Sequence, residues 1–347
     1  MGFTDSERAA MRRALELAAT AGVPLGPNPR VGCVLLADDG GEVAEGFHRG
    51  AGGPHAEADA LREAGDAARG ATAVVTLEPC DHRGRTGPCT QALIAAGVRR
   101  VVFAQTDTNP VAHGGGATLR AAGIEVEGGL LADEARRLNR AWTFALEHGR
   151  PFVTWKFATT LDGRSAAADG TSRWLSSSAA RRDTHRLRSL CDAILVGSNT
   201  VEVDDPELTV RDEYGDPLPR QLLRVVMGKR DLDPSRRVFD DRAETLRMRS
   251  HDPREVLDVL HTRDCQHLFL EGGPTVAGAF LRAGLVDEVV AYVAPMLLGA
   301  GRAAVDDLGI TTIAEALHLR VTDVAVLEDH DGGDDNVRIT MSPKETT

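Results

Sequence analysis

Three short segments constrain this chain more than anything else in it: His55-Ala56-Glu57, Pro79-Cys80 and Pro88-Cys89. One histidine and two cysteines form a three-ligand set for zinc, so a fold that uses them must bring three separated stretches to one point. Three protein ligands leave the fourth position open to water, which marks a catalytic ion rather than a structural one. A zinc ion lowers the pKa of such a water to about 7. Cys89 stands at the start of a predicted helix, where the positive end of the dipole favours a thiolate. His55 follows Gly52-Gly53-Pro54 and opens another helix. Glu57 is not needed as a ligand and is placed to pass a proton from water to a leaving group. A lone His-x-Glu says little, and two cysteines alone are more often core or structural. The ordered conjunction, with a proline before each cysteine, carries the reading.

The pattern around these segments is that of a layered α/β protein. Residues 5–22 read as an amphipathic helix with Asp5 or Ser6 as cap. Residues 31–36 and 42–47 read as a hairpin, 55–64 and 89–96 as helices, and 73–77 and 101–104 as strands. Alternating strands and helices predict largely parallel pairing. A helix over 132–146 runs to Pro151, where the pattern restarts, so the domain boundary falls between 148 and 149. Beyond it, 152–157, 193–196, 223–227, 267–270 and 288–293 read as strands, and 178–190 and 274–283 as helices. The length of 347 residues suits two domains of this kind.

Composition narrows the function classes. Forty basic against fifty-two acidic side chains give a net charge of −12. That argues against a protein that coats nucleic acid, and residues 328–335 read as a solvated acidic tail. Five cysteines in so long a chain are not a disulfide framework. Cys33, Cys191 and Cys265 lie in or beside apolar runs and read as core. No signal-peptide core and no membrane-length apolar run is seen, so a cytoplasmic protein without a membrane partner is expected.

The three ligand segments match the arrangement of zinc nucleobase deaminases, except that eight residues rather than two separate the cysteines. The sequence as a whole resembles the bifunctional riboflavin-biosynthesis deaminase/reductase family, in which that long gap is usual. In the first half the resemblance rests on Pro27-Asn28-Pro29-Arg30-Val31-Gly32, Gly46-Phe47-His48, Pro54-His55-Ala56-Glu57, Glu78-Pro79-Cys80 and Gly84-Arg85-Thr86-Gly87-Pro88-Cys89. In the second it rests on Lys156-Phe157-Ala158, Leu161-Asp162-Gly163, Ser172-Arg173-Trp174, Arg186-Leu187-Arg188, Asp192 to Gly197, Asp204 to Leu208, Arg211 and Glu271 to Thr275. Gly87 replaces a usual proline, Thr160 a usual serine, and the His113-Gly114-Gly115-Gly116 stretch lacks a usual lysine.

The resemblance implies a cytidine-deaminase-like three-layer N-terminal domain (1–148) and a dihydrofolate-reductase-like C-terminal domain (149–347). It implies zinc and NADPH as cofactors, a pyrimidine ribosyl phosphate as substrate, and a homo-oligomer. Zinc would be held by His55, Cys80 and Cys89, with Glu57 catalytic. Deaminase substrate contacts are implied at Asn28, His48, His82, Arg85, Asp107 and Asn109. Reductase substrate contacts are implied at Ser172, Arg188, Leu208, Arg211 and Glu271. NADPH contacts are implied at Ala158, Trp174, Thr200, Asp204, Gly272, Gly273, Pro274 and Thr275.

Read without the resemblance, the second half shows only a binding signature. Two glycines between the predicted strand at 267–270 and a helix opening on Pro274 make a phosphate cradle, though many such turns bind nothing. Arg181, Arg182, Arg186 and Arg188 read first as a solvated helix face, and as an anion site only if the substrate carries a phosphate. Two rivals stand beside the family reading. One is a nucleoside or tRNA-base deaminase joined to an unrelated or inactive reductase-like domain. The other is a structural zinc protein with His82 or His48 as fourth ligand.

Overall fold

The computed structural model describes residues 2–20, 23, 26–82, 87–109, 112–172, 175–212 and 214–344. The chain divides into two compact units, 1–148 and 149–347.

The first unit contains α1 (Asp5–Ala18), β1 (Gly32–Leu36), β2 (Glu42–Phe47), α2 (Ala56–Ala64), β3 (Thr72–Leu77), α3 (Cys89–Ala96), β4 (Arg100–Gln105), α4 (Gly115–Ala121), β5 (Glu125–Gly128), α5 (Ala132–Leu138) and α6 (Arg140–His148). The strands form one sheet in the order β2-β1-β3-β4-β5. Every residue of β3 and β4 is buried, as a strand covered on both faces must be. Alternate residues divide between two cores. Leu35, Val75 and Val101 pack with Ala60, Leu93 and Leu119 of α2, α3 and α4. Val34, Val74 and Val102 pack with Met11, Ala14 and Ala135 of α1 and α5. This is a three-layer sandwich.

Three sequence expectations are corrected here. β1 pairs antiparallel with β2, as the hairpin reading has it, but also with β3, so only β3, β4 and β5 are parallel. The first helix ends at Ala18, and its cap is Thr4, whose hydroxyl and the Glu7 carboxylate form a reciprocal capping box. The helix expected over 132–146 is two helices. Asn139 breaks it because its side chain is committed elsewhere: Oδ1 accepts from Arg30 N at 2.8 Å and Nδ2 donates to Arg30 O at 2.9 Å. The buried amide thus pairs like a strand neighbour with the segment leading into β1.

The second unit contains β6 (Phe152–Thr160), β7 (Arg164–Ala166), α7 (Ser178–Arg188), β8 (Ala193–Gly197), α8 (Ser198–Asp204), β9 (Leu223–Met227), β10 (Thr245–Met248), α9 (Pro253–Thr262), β11 (His267–Leu270), α10 (Pro274–Arg282), β12 (Glu288–Ala294), β13 (Arg302–Ala303), β14 (Leu319–Leu327) and β15 (Asn336–Pro343). Its eight-stranded sheet runs β10-β9-β8-β11-β6-β12-β15-β14, and a short β13-β7 ribbon stands apart. The first six strands are mutually parallel, and the last two join antiparallel. Cys33, Cys191 and Cys265 are buried in the cores, as their apolar surroundings suggest.

The acidic stretch 328–335 is not a solvated tail. It is the turn between β14 and β15, and Asp329 accepts from Ser178 N at 2.8 Å and Ser178 Oγ at 2.6 Å. Its carboxylate sits at the N-terminal end of α7, where unsatisfied N–H groups favour an anion.

The Asn139 pairing sets up one test. Asn139→Ala removes both partners from Arg30, and each buried backbone group stripped this way costs about 1–3 kcal/mol. Urea unfolding of the variant should show a loss in that range or above for the first unit, while Asn139→Asp keeps one acceptor and loses less.

Candidate active sites

In the first unit the three ligand segments converge. His55 is the residue before α2 and holds extended backbone geometry, so its side chain turns away from the helix. α2 can approach β2 closely because residue 46 is glycine; a Cβ there would lie 2.5 Å from the Ala56 carbonyl oxygen. Cys80 follows the C-terminal end of β3, and Cys89 is the first residue of α3. His55 Nδ1 lies 3.2 Å from Cys89 Sγ and 3.5 Å from Cys80 Sγ, and Cys89 N donates to Cys80 Sγ at 3.5 Å. All three donor atoms fall within 4.8 Å of one another. An imidazole nitrogen and two sulfurs at this spacing fit the donor set of a zinc ion. Among the described residues neither His48 nor His82 joins the cluster, so the four-ligand structural reading finds no support.

The electrostatics fit metal binding. Cys80 is held as a thiolate, its pKa brought down to about 4 by the hydrogen bond from the Cys89 thiol and by His55. Cys89 is pushed up by that same pairing and by burial. Glu57 is 3% exposed and meets Cys89 through its side chain. Burial, then the Cys80 charge, raises its pKa.

A cavity of about 270 Å³ opens over this cluster, with Glu57, Asn28, His48, His82, Asp107 and Asn109 in its lining. His48 Nδ1 sits 2.9 Å from the Pro54 carbonyl oxygen, so that nitrogen carries the proton. Its Nε2 then accepts from Asn28 Nδ2, also at 2.9 Å. Burial lowers the His48 pKa and keeps the ring neutral. Asp107 accepts from Asn109 N at 2.8 Å, and burial raises its pKa. His82 Nδ1 is buried without a hydrogen-bond partner among the described residues. Arg85 lies outside the described residues. Trp142 from α6, Glu78 and Ala112 also line the cavity and were not among the expected contacts. Glu78 stands in the Glu78-Pro79-Cys80 motif; no local pattern marks Trp142 or Ala112, which arrive through the packing of other elements.

In the second unit a charged cluster gathers at the middle of β6, the residue after β11 and the last turn of α7. Arg188 grips Glu271 with two N–H groups, Nε to Oε1 at 2.5 Å and Nη2 to Oε2 at 2.9 Å. Lys156 Nζ lies 3.9 Å from Glu271 and 5.6 Å from the centre of the Tyr292 ring. Arg188 also donates to Thr209 O, and Arg211 Nε donates to the Thr209 hydroxyl. Arg211 is further held by Glu207, four residues back. Leu208 between them is buried, with positive φ. Burial, with Arg188 second, lowers His185 to about 4, and its Nδ1 has no partner among the described residues. Burial works against the Glu271 charge, but Arg188 and Lys156 overcome it and take the carboxyl down to about 2. Lys156 and His185 were not among the expected site residues. Lys156 sits inside a strand that reads as core, and only the sheet order reveals its neighbour Glu271.

The arginines of α7 separate cleanly. Arg182 pairs with Asp331 and Arg186 with Asp183 on exposed faces, whereas Arg188 turns inward. Gly273 precedes α10 in extended geometry and Pro274 is its first residue, so the expected cradle shape is present. Thr200 and Asp204 lie on α8, Ala158 is on β6, and Ser172 is exposed. Trp174 lies outside the described residues.

A sandwich with a His/Cys/Cys centre, followed by a parallel-sheet domain with a glycine-rich strand-to-helix turn, defines a zinc deaminase joined to a nucleotide-dependent reductase. Comparison with known proteins agrees. The profile of the cytidine and deoxycytidylate deaminase zinc-binding region matches residues 4–105, and that of the RibD C-terminal domain matches 151–331. The riboflavin biosynthesis protein RibD of Mycobacterium tuberculosis is 53% identical over 292 residues, 84% of this chain and 86% of that one. RibD of Escherichia coli is 42% identical over 348 residues, 90% of this chain and 95% of that one. The structure of Acinetobacter baumannii RibD superposes with a TM-score of 0.86 at 37% identity, over 98% of this chain and 99% of that one. A deaminase/reductase from Thermotoga maritima also gives 0.86, at 33% identity and the same coverage. The chain belongs to the RibD family: it is a bifunctional deaminase and reductase of riboflavin biosynthesis, with domains of the types that use zinc and NADPH. A nucleoside deaminase with an unrelated second domain is not favoured, because the RibD profile covers that domain. Among the described residues no helix is long and apolar enough to cross a membrane.

Glu271 yields a pH prediction. Its carboxyl drops from 4.5 in the unfolded chain to about 2 when folded. A lowered pKa means that the folded state binds fewer protons, so this stabilisation is complete above about 4.5 and fades as pH falls toward 2. Denaturant unfolding of wild type against Glu271→Gln should show a difference that is largest near neutrality and shrinks below pH 4.5; a pH-independent difference would contradict the ion-pair account.

Proposed function

We propose that the first unit deaminates a diaminopyrimidinone bearing a phosphoribosylamino group, and that the second reduces the ribosyl chain of the product to a ribityl chain. One observation carries the reading: the donor atoms of His55, Cys80 and Cys89 meet within 4.8 Å of one another beneath an open cavity whose lining also contains Glu57. Zinc held by those three residues supplies an activated water at neutral pH. Glu57, two residues beyond His55 and against Cys89, takes the water proton and hands it to the exocyclic nitrogen, which departs as ammonia. Asn28 and the neutral His48 hold each other in one orientation and face the pyrimidine. Asp107 and Asn109, joined through the backbone, form a second polar wall. His82 brings an unpartnered ring nitrogen, and Arg85 completes the proposed contacts.

In the second unit NADPH supplies the hydride, and the protein supplies only orientation. Arg188 and Glu271, with Lys156 beside them, offer a fixed donor and acceptor pattern to the uracil edge or the phosphate. Arg211, Leu208 and Ser172 complete the proposed substrate contacts. Ala158, Trp174, Thr200, Asp204 and the Gly272-Gly273-Pro274-Thr275 turn would hold the cofactor, and the first N–H groups of α10 would suit its phosphates. Assembly as a homo-oligomer is supported by the open edge of the large sheet. There Val321, Val324 and Val326 share one face of β14 and are 56%, 58% and 62% exposed, a surface a second copy would cover. Light scattering that returned a monomer mass would remove that part of the reading.

Mass spectrometry of the products tests the chemistry. Zinc-loaded protein and the diaminopyrimidinone ribosyl phosphate should give a gain of about one mass unit without NADPH, as amine becomes carbonyl. Adding NADPH should give about two more. Glu57→Gln should keep its zinc, lose the first shift, and still reduce supplied deaminated intermediate. Deamination at the wild-type rate by that variant would refute the proton-transfer role.

A further inference from the structure

The fold ties the two cysteine segments together through a contact that the zinc chemistry leaves unused. Asp81 follows Cys80, and Thr90 follows Cys89. The Thr90 hydroxyl donates to Asp81 Oδ1 at 2.6 Å, and Thr90 N donates to the Cys80 carbonyl at 3.3 Å. The second oxygen of the same carboxylate, Oδ2, accepts from the Thr118 hydroxyl on α4, also at 2.6 Å. Asp81 N donates to Ala112 O at 3.2 Å. Thr90 is fully buried. One side chain therefore joins the end of β3, the start of α3 and the middle of α4.

α4 is seated against this loop by design of its sequence. A Cβ on residue 115 would fall 1.8 Å from the Pro79 carbonyl oxygen, so only glycine allows the approach. Gly116 N then donates to Glu78 Oε1 at 2.9 Å. The glycine run at 114–116, where a lysine was expected from the family, is what lets Thr118 reach Asp81.

We propose that Asp81 is a positioning residue for the metal centre: clamped between Thr90 and Thr118, it fixes the separation of Cys80 and Cys89 before the ion arrives. Hydrogen bonds from hydroxyls to a carboxylate at this length belong to the stronger class. The two sulfurs come from segments joined by a long loop, and the clamp orders them during folding. Their ordering then does not subtract from metal binding. Glu57 depends on the same geometry, because its side chain meets Cys89. Partners behind metal ligands are worth about 10–100-fold in affinity.

The inference rests on the zinc reading, and zinc affinity separates the two. Zinc dissociation constants would be measured by competition with a chromophoric chelator, on full-length protein stripped and reloaded. Asp81→Ala and Thr90→Val should each weaken zinc about 10–100-fold, and Thr90→Ser, which keeps the hydroxyl, should stay near wild type. Cobalt-substituted Asp81→Ala should show a changed thiolate-to-cobalt absorption band. Wild-type affinity in Asp81→Ala and Thr90→Val overturns the clamp while leaving zinc in place. Equal loss in Thr90→Ser and Thr90→Val also overturns it, because packing rather than the hydroxyl would then be responsible. If Asp81→Ala fails to fold, the Thr90 pair decides. A wild-type chain that takes up no zinc overturns the metal reading itself and the clamp with it.

Discussion

The first unit is organised around a repulsion that it must resolve: two sulfurs and an imidazole, largely out of water, within hydrogen-bonding distance of one another. Two thiolates so close and so buried are costly without a counter-charge. The pairing of the two thiols, with His55 beside them, draws the Cys80 pKa down and pushes that of Cys89 up, so a proton favours Cys89 over Cys80. A divalent cation would replace that proton and neutralise both sulfurs. The surrounding architecture is what a stable solution needs. His55 leaves α2 at its cap, Cys80 leaves β3 at its end, and Cys89 opens α3 near the positive helix terminus. The sheet with helices on both faces brings these three ends together because consecutive elements pack side by side.

This explains what the sequence could disclose. Metal ligands are recognisable because each must be one of a few residue types, and because the elements that carry them begin and end next to them. The strand at 72–77 and the helix at 89–96 were legible within a residue from burial-driven runs and from prolines, and the ligands sit at their edges. The N-cap of α1 was misplaced by one or two residues because Thr4, Asp5 and Ser6 all have capping side chains. Only the reciprocal bond with Glu7 decides among them. The break at Asn139 was illegible for a deeper reason: its amide answers a backbone segment 109 residues away.

The second unit was less readable because its site is made of charges rather than of ligand types. Arginine on an amphipathic helix has the same local pattern whether it faces water or a carboxylate. Arg182 finds Asp331 of the β14–β15 turn, Arg186 finds Asp183 on its own helix, and Arg188 finds Glu271 beyond β11. Lys156 lies on β6 and Glu271 beyond β11, more than a hundred residues apart. Parallel pairing of those strands makes them neighbours, with Leu270 opposite Trp155. No window of sequence contains that register.

The charge count of this cluster also bears on what it can hold. Lys156 and Arg188 face the single carboxylate of Glu271, while Arg211 shares Glu207 with Arg237 and Arg242. Burial lowers the Lys156 pKa, and His185 is driven to its neutral form. A protonated His185 would add a further positive charge beside Lys156 and Arg188, so its neutrality keeps the positive excess down. A positive excess in a half-buried site attracts an anion or a polarised oxygen and repels a cation. A phosphate-bearing pyrimidine satisfies that demand from either end, and a hydride donor needs nothing more from the protein than a partner held still. The two units thus solve different problems: the first builds its reactivity from a few residue types at fixed spacing, and the second supplies a charge balance that only a folded sheet can assemble.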